Sequence, residues 1–189
     1  MNKKNITESE AVPPEKSKNK AALCLVIVII FLVIACFVLV RLNNTSLDAN
    51  AEEGKVAIVC NGEKAAAFEV DDLKAMESTD IKKHISSGSG KDEDGVFTGV
   101  NLKDVISAAG IALTGSEENI TVKSEDGYTT AFDIDEVLAD DCILLVYEKD
   151  GQLLGGRSDG GNGPFRIIAV DDMFGTRCAK YVNIIEVNS

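Results

Sequence analysis

Residues 97–111 read FTGVNLKDVISAAGI. Leu102, Val105 and Ile106 recur there at i, i+3 and i+4, one face of a helix, with Asn101 suited to the N-cap and Gly110 to the stop. The pattern predicts a helix over 102–109. On both sides the chain reads mainly as short strands. Upstream, Lys55–Cys60 (KVAIVC) is an apolar strand closed by the turn pair Asn61-Gly62, and Asp71-Asp72 open a short helix around Leu73–Glu77. Ser86–Gly95 is a loop by composition. Downstream, Ile120–Lys123 and Tyr128–Phe132 flank Ser124–Gly127 as a hairpin, and Asp133–Leu138 is a short helix with carboxylates at its start. Cys142–Glu148, Phe165–Val170 and Tyr181–Val187 are strands. With no regular βαβ alternation, an α+β or mainly β architecture is predicted over 55–189.

Residues 21–40 (AALCLVIVIIFLVIACFVLV) carry no charge. A helix of that length spans roughly 30 Å, the thickness of a bilayer's hydrocarbon core. Lysines 3, 4, 16, 18 and 20 precede it and only Arg41 follows closely, so the positive-inside rule predicts a cytoplasmic tail (1–20), one transmembrane helix (21–40), a linker (41–54) and an extracytoplasmic domain (55–189). A retained signal anchor is the reading adopted. Cleavage near Ala49-Asn50-Ala51, or lipidation at Cys36, is left open. The net charge of −12 divides into +3 over 1–41 and −15 over 42–189. That acidity, with 5% aromatics and no Trp, excludes a nucleic-acid binder.

Common catalytic constellations are absent from the sequence. Its one histidine, His84, reads as a surface residue with no Ser or Cys nucleophile marked nearby, and no phosphate-binding loop or dinucleotide fingerprint is present. No catalytic residue and no metal ligand is assigned. Cys60, Cys142 and Cys178 are an odd set, leaving room for one bridge and a free thiol, and Cys142 reads as a small buried hydrophobe. Asp92-Glu93-Asp94 and Asp133/Asp135/Glu136 lack the spacing of a calcium loop.

Five blocks, in order, resemble the oxidoreductase molybdopterin-binding domain family, the catalytic fold of sulfite oxidase-like enzymes. They are Phe97–Ile106 with Ala109-Gly110-Ile111; Ser124–Tyr128; Ile143–Tyr147 with Asp150–Leu154; Gly163–Ile168; and Ala179–Val182 with Ile185–Val187. The resemblance covers about 55–187 and implies an α+β domain of mixed twisted β-sheets with short helices. It also implies a molybdenum held by a pterin dithiolene and one Cys, supplied just upstream of the Gly-Val-x-Leu block. The corresponding segment here, Met76–Val96, contains neither Cys nor Asn, and Cys60 falls too early to replace it. No Arg-Arg pair, the export mark of the large enzymes, precedes the apolar run.

These features predict a membrane-anchored, extracytoplasmic, cofactor-free domain that binds a small anionic ligand or a protein partner. The alternatives are a molybdopterin-dependent oxidoreductase or electron-transfer component, or a structural envelope protein. The expected ligand cleft is built from Gly160, Gly161 and Gly163 with Arg166, Asp126, Tyr128 and Lys180. A wide surface loop is the simpler account of the glycines, and a structural role that of Arg166 and Lys180.

Overall fold

A computed structural model describes residues 25–36, 52–88 and 92–188. The chain divides into two units, Met1–Thr45 and Ser46–Ser189. In the first, residues 25–36 form one α-helix (α1), its large apolar side chains exposed. The cytoplasmic tail, both ends of the expected membrane helix and most of the linker lie outside the described residues. Among the described residues no helix is long and apolar enough to cross a membrane.

The second unit runs β1 (Val56–Cys60), β2 (Glu63–Phe68), α2 (Val70–Lys74), β3 (Thr79–Ile85), β4 (Glu93–Asn101), α3 (Leu102–Ala108), β5 (Asn119–Ser124), β6 (Thr129–Phe132), α4 (Ile134–Leu138), β7 (Ile143–Lys149), β8 (Gln152–Leu153), β9 (Arg166–Ala169) and β10 (Val182–Asn188). One five-stranded sheet has the order β2-β1-β10-β5-β6, and the other runs β3-β4-β7-β8 with β9 also on β7. Among the named strands only β1 and β10 pair in parallel, and the last strand sits mid-sheet between β1 and β5. This is the α+β architecture of mixed sheets and short helices.

The main core draws on both sheets and on α3, whose Leu102, Val105 and Ile106 are fully buried. Strand pleating gives β7 two buried faces. Leu145 and Tyr147 join the main core, while Leu144 and Val146 join a second cluster with Ile85, Phe97, Ile168 and Cys178. Turn chemistry closes β1 on β2, where Asn61 (φ 49°) and Gly62 (φ 83°) are both left-handed, as a two-residue hairpin loop requires.

Three local readings change. Asn101 occupies the N-cap of α3, but its side chain does not cap the helix. Its Oδ1 accepts the Asp141 N–H at 2.8 Å instead. β2, built on three alanines of low strand propensity, and β3, mostly polar, give no strand signal in the sequence. In β3 only alternate positions are covered, and the second sheet supplies the missing pairing. The Ser86–Gly95 loop is shorter than its composition suggests, because β4 begins at Glu93.

Candidate functional site

β3 and β4 pair antiparallel, with Ile85 opposite Glu93. Beyond β3, Ser86 bridges to Phe174 and its carbonyl accepts the Gly175 N–H at 3.0 Å. That contact lays the 3-10 turn Gly175–Arg177 beside the exit of β3. Glycine is required there because a Cβ on residue 175 would come within 2.5 Å of the Ile85 Cγ2. The two segments border a cleft of about 430 Å³. Its walls come from the β3 exit (Ile85, Ser86, Ser87, Gly88), from the turn (Phe174, Gly175, Thr176), and from Glu93, Arg166, Cys178 and Lys180. The size suits a small organic ligand.

Charge in the cleft is arranged unevenly. Arg166 is only 2% exposed. Its Nη1 donates to Glu93 Oε2 at 2.8 Å, and its guanidinium lies 5.4 Å from the Phe97 ring centroid. The buried Nε has no hydrogen-bond partner. Burial pushes the Glu93 carboxyl up, but Arg166, and then Lys149 at 3.0 Å, outweigh it and hold the pKa below its ordinary value. Lys180 is half-buried and has no ion-pair partner among the described residues. One uncompensated cation therefore faces the cleft beside a guanidinium with an idle donor, an arrangement suited to a single small anion. Cys178 lines the same space, 7% exposed, its thiol pushed up by burial.

Arg177 does not line the cleft but holds its wall. Its guanidinium donates two 2.9 Å bonds to Glu136, at the start of α4, and two more to Asp172. These ion pairs raise the Arg177 pKa and lower those of both carboxylates. Nearby, the buried Lys83 donates to the carbonyls of Val170 and Asp172 at 2.7 Å each.

The sequence-derived site residues separate into layers. Arg166 and Lys180 meet in the cleft. Tyr128 stands behind it, its hydroxyl donating to the Thr176 carbonyl. Asp126 accepts the Tyr128 N–H at 3.1 Å within its own turn. Gly160, Gly161 and Gly163 do not line the cleft. They fold back on the preceding segment, where a Cβ on Gly161 would lie 2.1 Å from the Gly155 oxygen and one on Gly163 would lie 2.5 Å from the Leu154 Cβ. Their link to the site runs through Tyr181 (φ 56°), whose hydroxyl reaches the Gly161 carbonyl at 3.0 Å. That contact holds a left-handed aromatic residue immediately after Lys180. Sequence reasoning missed Ser86, Ser87, Glu93, Phe174, Thr176 and Cys178. The alternation of β3 was the available signal, and the polar pair Lys82-Lys83 obscured it.

The fold agrees with the similarities the chain shows. The chain belongs to the oxidoreductase molybdopterin binding domain family, whose model matches residues 43–189. Among solved structures it is similar to the sulfane dehydrogenase SoxCD from Paracoccus pantotrophus, with 14% identity and a TM-score of 0.58. The match covers 72% of this chain but only 38% of that one, and at such identity it bears on the fold alone. No curated protein matches the chain.

Proposed function

We propose that this chain is a membrane-anchored, extracytoplasmic member of the family that binds a small anion without a molybdenum cofactor. One observation carries the reading. The segment in which the family places its metal-ligating Cys brings Ser86, Ser87 and Gly88 to the cleft, while the charge available to a ligand comes from Lys180 beside Arg166. Serine hydroxyls are hard oxygen donors, not an equal replacement for the soft thiolate that the family uses there. The only cysteine in the cleft wall is almost wholly covered, and its thiol is held protonated by burial. Among the described residues the cleft offers two cations, one already committed to Glu93, fewer than a phosphate-bearing pterin calls for. The described residues of the cleft do not fit the cofactor.

A second reading, a molybdopterin-dependent oxidoreductase, draws on the presence of Cys178 in this cleft. Metal analysis and absorption spectra of the full-length chain, purified in detergent from its own membrane, separate the two. A folded, colourless protein without molybdenum is expected. Molybdenum at one atom per chain would overturn the proposal.

A further inference from the structure

Among the described residues of the second unit, the two most exposed large apolar side chains are neighbours, Met173 at 78% and Phe174 at 59%. Phe174 lines the cleft and Met173 does not. Core packing does not account for an aromatic residue at 174, because most of the ring stays in water. The turn docks on the β3 exit by other means. Its backbone bridges to Ser86, the Gly175 N–H donates to the Ser86 carbonyl at 3.0 Å, and Gly175 itself is what fits against Ile85. Arg177 ties the far end of the turn to Glu136 and Asp172. A braced backbone thus carries an uncovered ring at the cleft wall, and an apolar body packing on it would have little backbone left to order.

We propose that the ligand of this cleft is a small aromatic monoanion, its ring packed on Phe174 and its charge held by Lys180 beside Arg166. This rests on reading the cleft as an anion site. Charge fixes the first half of the assignment. In the lining, Arg166 and Lys180 stand against Glu93 and a protonated Cys178, which leaves one net positive charge. Volume fixes the second half. About 430 Å³ lies in the range of organic-ligand pockets, and a bare oxyanion such as phosphate would fill only a small part of it. The remaining wall is apolar, with Ile85 and the Phe174 ring. An aromatic body suits that wall better than a polar one, since it removes the exposed ring from water and adds a ring–ring contact.

The test is isothermal titration of the full-length chain, in a non-ionic detergent, with methanesulfonate and with benzenesulfonate. Both are monoanions with the same head group, so only the body differs. Benzenesulfonate is expected to bind at least ~10-fold more tightly, the size of a favourable aromatic contact together with the ring's burial. Phe174→Ala should remove that preference, at much smaller cost to methanesulfonate. Met173→Ala, at the more exposed neighbour outside the lining, should keep the preference of the parent. Equal affinities in the parent, a comparison that needs no variant, would overturn the proposal. So would a preference that survives Phe174→Ala, or one lost equally in Met173→Ala, which would make the pair a general apolar contact surface. Binding of neither sulfonate would overturn the anion site itself, and this inference with it.

Discussion

Arg166 illustrates how one side chain can serve both stability and binding. Removing it empties a buried volume at the cleft wall and leaves Glu93 without its closest partner, although Lys149 stays at 3.0 Å. Arg166→Ala should therefore destabilise the domain by about 3 kcal/mol, the low end for breaking a buried pair, as read by denaturant unfolding. A change near zero would mean that the pair is structurally idle. Lys180→Ala, which breaks no ion pair among the described residues, is the cleaner probe of binding. A separate residue sets an acid limit. Glu117 accepts the N–H groups of Thr114 and Gly115 at 2.9 Å each, and the Thr114 hydroxyl at 3.0 Å. The Thr114 N–H leads in pulling its pKa down to about 2. The folded value lies below the unfolded one, so the stabilisation is complete above the ordinary value of 4.5 and is lost as pH falls toward 2. Glu117→Gln should melt lower than the parent at pH 7, and the gap should close near pH 2. A gap independent of pH would show that the charge is not what matters.

The β4–α3 junction explains why its sequence motif reads as it does. A Cβ on Gly99 would lie 2.6 Å from the Leu145 oxygen and 2.8 Å from the Val146 Cα, backbone atoms of β7 that cannot swing away. Pairing between β4 and β7 also shifts register at Thr98/Gly99. Gly99→Ala should cost about 1–3 kcal/mol, the range for overpacking, and differential scanning calorimetry would show it as a lowered Tm. An unchanged Tm would mean that the strands separate freely. The turn Gly175–Arg177 depends instead on charge. Arg177→Ala should cost about 1 kcal/mol, since its carboxylate partners are partly exposed, yet it should weaken anion binding because Thr176 and Gly175 wall the cleft. Unfolding and anion titration on the same variant read the two effects. Loss of stability with undiminished binding would place the clamp outside the site's support. At this scale the sequence was informative wherever burial was one-sided or continuous. The α3 face and β7 are visible in their apolar spacing, whereas β2 is built on alanines of low strand propensity, β3 is mostly polar, and both exist through pairing.

Across the whole molecule, the near-neutral hydropathy averages an apolar run with an acidic domain of net charge −15 over 42–189. Against that background a cleft with an unpaired Lys180 is a local exception, and the domain's field gives an anion no help in reaching it. The family and the fold were legible because five spaced blocks record strand ends, turns and backbone approaches. The site was legible only in part. Arg166 and Lys180 lie in two of those blocks, but the partners that complete the cleft arrive through long-range strand pairing and through a turn whose side chains carry no periodic signal. The Gly-rich loop misdirects because close packing against Gly155 and Leu154 selects the same residue as ligand approach.

Thermal melting of the full-length chain in detergent, titrated with inorganic phosphate and with sulfate beside Lys180→Ala, tests the anion cleft most directly. The parent should show a saturable rise in Tm, equivalent to about 2.7 kcal/mol at a hundredfold excess over Kd, and Lys180→Ala should keep the parent's unliganded Tm while losing that rise. Absence of stabilisation in the parent, or the same stabilisation in both proteins, would contradict the account.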